Sequence, residues 1–181
     1  MVKSWYMSSI YDDERNELHL NPPSFVTIEE LNAKTGVLCW KFNPKDVDEN
    51  KEFIELKRSR GYTYEDSVEI SPEKLPGYHD KIKMFFAEHI HTDEEIRFIE
   101  AGSGYFDVRD LDDKWIRILV EAGDLLVLPA GIYHRFTCDK NDYIKARRLF
   151  IGEPVWTPYN RPADDMEERK KYIDRMKCQK A

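Results

Sequence analysis

Three imidazoles and one carboxylate stand at spacings that let a single divalent ion be held from two distant segments. The first segment is Glu88-His89-Ile90-His91-Thr92-Asp93-Glu94-Glu95. Side chains at i and i+2 of a strand leave on the same face, so His89 and His91 can reach one point. Thr92, Asp93 and Glu94 suit a turn, which would bring Glu95 back beside the two rings. The second segment spaces Gly123, Pro129, Gly131 and His134 as G-x5-P-x-G-x2-H. Glycine permits sharp turns and proline fixes φ, so each apolar run is clipped at both ends and His134 is presented from a second hairpin. Taken alone, a His-x-His on a strand is as often a solvated face as a ligand pair; the two segments together favour a metal centre. Imidazole plus carboxylate suits iron, nickel, manganese or zinc, and with open positions it is the arrangement of non-haem iron oxygenases.

Strand alternation extends the site. Glu95, Arg97 and Ile99 share one face, so a metal-facing Glu95 puts Arg97 on the same cavity, where it could steady an anionic oxygen. The blander role for Arg97 is an internal salt bridge. His134, Phe136 and Cys138 share a face, which makes Phe136 a cavity wall and Cys138 a small buried hydrophobe. Arg147 and Arg148 are adjacent, so one faces inward, and alternation alone does not say which. His19 and His79 have no partner at ligand spacing and read as surface or helix residues. Asp93 and Glu94 read as turn residues, and Lys114, Arg117 and the C-terminal lysines as solvated charges.

The elements that must carry these residues can be read in outline. Residues 1–26 read as irregular, with Pro22-Pro23 interrupting regular structure. Thr27-Ile28-Glu29-Glu30 is a capping box opening a helix that ends at Gly36. Val37–Phe42 reads as a strand, and Asn50 caps a helix over Lys51–Arg60 that ends at Gly61. Ser71-Pro72 and Leu75-Pro76-Gly77 are two helix-start signals, with helical turns through Met84 and an apolar face of Tyr78, Ile82 and Phe85 or Phe86. Short strands then follow: Phe86–His91, Glu95–Ala101, Gly104–Arg109, Trp115–Val120, Asp124–Leu128, Tyr133–Cys138 and Tyr143–Ile151. Turn signals recur between them, including Gly102-Ser103-Gly104. That pattern predicts a mainly β protein, an antiparallel β-sandwich or jelly-roll barrel with a few peripheral helices. A charged C-terminal helix is expected over Met166–Met176, docking through Met166, Tyr172, Ile173 and Met176.

Composition agrees with one domain. The chain has 181 residues, 41% hydrophobic and 13% aromatic, with 35% charged. One domain over 1–181 is expected, with helices and edge strands in 1–85, the barrel core in 86–152 and a loop and helix in 153–181. The net charge of −7 argues against a nucleic-acid partner. No apolar run approaches the roughly 20 residues of a membrane span, and the first residues lack the apolar stretch of a secretory signal. Cys39, Cys138 and Cys178 are too few and too scattered for a disulfide framework, so free thiols in a reducing cytoplasm are expected, with the nucleus as a further location. A monomer is the simplest expectation.

These residues resemble a known family. G-x5-H-x-H-x3-E-x6-G followed by G-x5-P-x-G-x2-H-x3-N is the two-part signature of the cupin superfamily. Here Lys83 stands where the first glycine would be and Cys138 replaces the closing asparagine; neither position is a ligand. More closely, the chain resembles the acireductone dioxygenases of methionine salvage. The matching stretches include Lys81–Phe86, Glu94–Arg97, Gly102–Arg109, Leu128–Thr137, Gly152–Thr157 and Asn160–Asp164. The likeness runs from Trp5-Tyr6-Met7 nearly to the end.

The resemblance implies a metal held by His89, His91, Glu95 and His134, with Arg97 and Arg148 as catalytic, positioning arginines. Fe(2+) is the expected ion, with Ni(2+), and also Co(2+) or Mn(2+), accepted by the same donors. The implied substrate is 1,2-dihydroxy-3-keto-5-methylthiopentene, oxidised by O2. The iron form is expected to yield 4-methylthio-2-oxobutanoate and formate. The nickel form is expected to yield 3-methylthiopropanoate, formate and carbon monoxide. Phe85, Ile99 and Phe136 are the expected pocket walls, and Glu94 or a bound hydroxide a base. The rival readings are another cupin oxygenase or isomerase, and a non-catalytic cupin stabilised by its metal. A second role, as an interaction protein through the charged C-terminal tail, is also open.

Overall fold

Fifteen α-helices and β-strands, in chain order, carry the chain through the computed structural model, which describes residues 1–180. They are β1 (Lys3–Met7), β2 (His19–Val26), α1 (Ile28–Thr35), β3 (Leu38–Lys41), α2 (Lys51–Arg60), β4 (Tyr64–Ile70), α3 (Tyr78–Phe86) and β5 (His89–Ile90). β6 (Glu95–Arg109), β7 (Trp115–Glu121), β8 (Asp124–Leu128), β9 (His134–Cys138), β10 (Ile144–Phe150), β11 (Tyr159–Asn160) and α4 (Glu167–Lys180) follow. No helix among the described residues is long and apolar enough to cross a membrane.

Local chemistry sets the first two helices as the sequence predicts. The Thr27 hydroxyl accepts from the Glu30 N–H at 3.1 Å, and the Glu30 carboxylate accepts from the Thr27 N–H at 2.8 Å. Gly36 closes α1 in the left-handed region, at φ 75°. Asn50 accepts from the N–H groups of Glu52 and Phe53, and Gly61 ends α2 in the same way.

The strands make an antiparallel sandwich organised on β6. The first half of β6 lies between β8 and β10, with β3 and β4 outside them. Its second half lies between β7 and β9. The sheet then continues to β1 and β2 on one side and to β5 and β11 on the other. One strand therefore serves both layers, where the sequence predicts two strands and a turn at Gly102-Ser103-Gly104. The chain stays extended there because its hydrogen-bonding partners change. Gly102 makes the transition possible: at φ 74°, a Cβ on it would lie 2.2 Å from the Tyr143 carbonyl oxygen.

The alternation within β6 splits the interior. Ile96 and Phe98 pack with Phe42, Phe53 and Leu125 beneath α2. Glu95, Arg97 and Ile99 turn the other way, into a cavity. α3 runs along β9 and closes one side of that cavity, bringing Phe85 to 6.4 Å from Phe136 between ring centres.

Several expectations are corrected. Residues 1–26 are not irregular: β1 joins β2 to β7, and the Pro22-Pro23 stretch is absorbed where the β1–β2 register skips from Ser24 to His19. Ser71-Pro72 opens a turn rather than a helix, and β4, just before it, is a strand. Phe86 ends α3 instead of starting a strand, which leaves only His89–Ile90 extended. Arg117 is not a solvated charge. It is fully buried, because the β6–β7 register sets it opposite Asp107, which it grips at 2.7 and 2.8 Å. Asp107 also accepts from Arg135 at 2.9 Å, so one buried carboxylate ties three strands together.

α4 docks as expected through Tyr172, Ile173 and Met176, with Met166 in a neighbouring cluster. The Tyr172 hydroxyl donates to the Thr35 carbonyl at 2.8 Å, and Arg169 donates to the Gly131 carbonyl at 3.1 Å.

Candidate metal centre

The two distant segments meet through backbone pairing. His89 of β5 stands directly opposite His134 of β9. The Gly131 N–H donates to the His91 carbonyl at 3.0 Å, fastening the second hairpin to the first. The turn through Thr92–Glu94 then returns the chain so that Glu95 begins β6 beside them.

The four side chains converge. Their donor atoms all lie within 4.8 Å of one another. Oε2 of Glu95 is 3.0 Å from His91 Nε2 and 3.1 Å from His134 Nε2. Each ring is held from behind: Nδ1 of His89 donates to the Ala87 carbonyl at 2.6 Å, Nδ1 of His91 to Thr157 at 2.9 Å, and Nδ1 of His134 to Ile132 at 2.9 Å. With Nδ1 carrying the proton, all three Nε2 lone pairs point inward, the ligand tautomer that backbone carbonyls characteristically enforce at metal sites. Three neutral donors and one carboxylate fit a divalent transition ion.

For His89, electrostatics supports the same protonation. Burial pushes His89 down to about 4, so the ring is neutral at ordinary pH. Burial opposes ionisation of Glu95, but Arg97, His134 and His91 outweigh it and hold the carboxyl well below its usual range. Burial also disfavours charge on His91, yet its contact with Glu95 raises it above the ordinary imidazole value.

The cluster opens on a cavity of about 410 Å³. At its polar end Arg97 lies 3.5 Å from Glu95 Oε1, with 15% of its side chain exposed. One of its N–H groups donates to the Ile96 carbonyl, which leaves others available to a ligand. Arg148, not Arg147, lines the cavity. A bidentate pair with Asp66 at 2.7 and 2.6 Å holds it, and its guanidinium lies 4.2 Å from the centre of the Trp156 ring. Arg147 faces outward, on Glu100 and Asp48. Phe85, Ile99 and Phe136 are all on the cavity wall.

One sequence expectation fails at this site. Glu94 is not on the wall. It accepts from Arg60 at 2.8 Å and from the Tyr62 hydroxyl at 3.1 Å, since the residue before Glu95 must leave on the opposite face. Cys138 is the small buried hydrophobe expected: it packs in the core outside the cavity lining, and burial pushes its thiol up to about 12. Sequence reasoning also missed Asp66 and the Thr157 carbonyl. For Asp66 there is a signal: Asp66, Val68 and Ile70 alternate with Glu65, Ser67 and Glu69, the period of a half-buried strand. For Thr157 there is none, because a backbone carbonyl carries no residue signature.

Comparison with known proteins agrees with this geometry. A family model described as the ARD/ARD' family matches residues 3–158. The acireductone dioxygenase of Ixodes scapularis is 60% identical over 178 residues, covering 98% of this chain and 97% of that protein. That of Drosophila melanogaster is 54% identical over 173 residues, covering 96% and 93%. Acireductone dioxygenase 2 of Arabidopsis thaliana is 52% identical over 174 residues, covering 96% and 90%. Among solved structures, an acireductone dioxygenase from Bacillus anthracis, described as having a cadmium ion in its active centre, superposes with a TM-score of 0.68. It is 24% identical, with 86% of this chain and 96% of that chain covered.

Proposed function

The chain belongs to the ARD/ARD' family of acireductone dioxygenases, and from that premise we propose that it cleaves 1,2-dihydroxy-3-keto-5-methylthiopentene with O2 in methionine salvage. With Fe(2+) the products are 4-methylthio-2-oxobutanoate and formate. With Ni(2+) they are 3-methylthiopropanoate, formate and carbon monoxide. The iron products divide the carbon skeleton once, the nickel products twice.

The observation that carries this reading is the meeting of His89, His91, Glu95 and His134 at the polar end of a cavity whose remainder is largely apolar. These four residues would hold the ion. When bound, a divalent ion there supplies Lewis acidity and a template for an electron-rich substrate.

The chain's own groups do the rest. Arg97 offers N–H donors and positive charge to an anionic substrate oxygen, in a setting where water competes poorly. Arg148, fixed by Asp66, adds a second cation whose position does not depend on the substrate. Phe85, Ile99 and Phe136 exclude water from the reacting end and receive the methylthio tail. Glu94, engaged by Arg60 and Tyr62, takes no part in proton removal.

The test is to load apoprotein separately with Fe(2+) and Ni(2+) and identify the products from the acireductone. Keto acid with iron and carbon monoxide with nickel are expected. Identical products from both forms, or no oxygen consumption, would overturn the reading.

A further inference from the structure

The strand register measures how long a substrate the cavity can take. Three inward-facing rungs follow one another along β10. In the first, Arg148 lies between Arg97 of β6 and Asp66 of β4. In the second, Ala146 lies between Ile99 and Val68. In the third, Ile144 lies beside Ile70, with Leu75 in the turn that follows β4. Except for Asp66, all of these side chains line the one cavity that also holds the histidine cluster.

Arg148 to Ile144 is four residues of strand, or about 14 Å at roughly 3.4 Å each. An extended chain advances about 1.3 Å per bond, since three backbone bonds span about 3.8 Å. The methylthioethyl tail, four bonds beyond the carbonyl carbon, therefore covers about 5 Å. Starting level with the arginines, it stops just short of the Ala146 rung, which lies about 7 Å along the strand. The methyl of Ala146 leaves the lane open at that rung, and the third rung, wholly apolar, lies beyond it.

Resting on the activity proposed above, we propose that the cavity accepts acireductones with unbranched apolar tails about twice as long as methylthioethyl, and that Ile70, Leu75 and Ile144 set the upper limit. The side chains of the second and third rungs, Val68, Ile99, Ala146, Ile70, Ile144 and Leu75, offer no donor or acceptor to reward a polar tail, so the class of additional substrate is alkyl.

The test uses the iron-loaded protein and acireductones with butyl, hexyl, octyl and decyl tails, assayed beside the methylthio compound. Anaerobic binding to zinc-loaded protein, followed by tryptophan fluorescence, provides a second readout. Each added methylene buried should tighten binding by up to about fourfold until the third rung is filled. Affinity and kcat/KM should thus rise through hexyl and octyl and fall at decyl. Ile144→Phe should move the optimum to a shorter tail, and Leu75→Ala to a longer one, each checked for native metal content and far-UV circular dichroism. A tenfold or greater loss already at hexyl overturns the proposal, as does an optimum that neither variant moves. Turnover of the methylthio compound with loss at hexyl removes the length inference alone. No turnover of any acireductone removes the activity on which it rests as well.

Discussion

At the scale of single residues, the site works by fixing protons and charges. Arg97 is the side chain whose contribution is most separable from the ion, since its guanidinium touches Glu95 at 3.5 Å but supplies no donor to the cluster. A hydrogen bond to a charged group contributes about 1.5–3 kcal/mol. Arg97→Ala should therefore lower kcat/KM by roughly 10- to 100-fold with metal content unchanged. Unchanged steady-state kinetics would reduce Arg97 to a structural ion pair. His91 makes a pH prediction. Its metal-free value is raised by Glu95, and a protonated ring cannot ligate. As pH falls through that raised value, binding must expel a proton, so affinity for the ion should drop by about tenfold per pH unit. Above it, affinity should level off. Calorimetric titration of apoprotein between pH 5.5 and 8 checks this, and a flat profile would refute it. His89, held at about 4, contributes nothing across that range.

At the scale of elements, convergence depends on glycines more than on the ligands themselves. Gly131 is at φ 80°, its N–H holds the His91 carbonyl, and a Cβ there would meet the Glu168 carbonyl of α4 at 2.4 Å. Gly131→Ala must both adopt a disfavoured backbone and push α4 away, so destabilisation of about 2–4 kcal/mol is expected in urea unfolding. A loss under 0.5 kcal/mol would show that the loop accommodates a side chain freely.

This is also the scale at which the sequence was least transparent. The capped helices were legible because Thr27, Glu30, Gly36, Asn50 and Gly61 act on their immediate neighbours. The ligand set was legible because His89 and His91 are separated by one residue and the turn to Glu95 is short. β6 was not, because Gly102-Ser103-Gly104 has the composition of a turn, and only the positions of β9 and β10 reveal a strand changing layers. Arg117 was misjudged for the same reason: Asp107, ten residues away, is adjacent only once β6 and β7 pair. Asp66, 82 residues before Arg148, became its partner only through the β4–β10 register.

At the scale of the whole molecule, the ion would act as a clasp between β5, β6 and β9. A ligand present at about a thousand times its Kd stabilises the folded state by about 4 kcal/mol. For a chain of this size each kcal/mol moves Tm by roughly 2–4 °C. Chelation should therefore lower Tm by roughly 8–16 °C, and readdition of one equivalent of ion should restore it. A scanning calorimetry trace that chelator does not shift would mean that the fold and the centre are uncoupled. The Asp107–Arg117–Arg135 knot gives the same sheet a metal-independent anchor, which is why the apoprotein should remain folded at 25 °C.

The most direct test of the account is the metal stoichiometry of the wild-type chain beside Glu95→Ala and His134→Ala, measured by plasma emission after equilibration with a limiting free ion. One ion per chain is expected in the wild type. Little or none is expected in either variant, with far-UV circular dichroism retained in both. Full occupancy in both variants would contradict the assignment of the four donors.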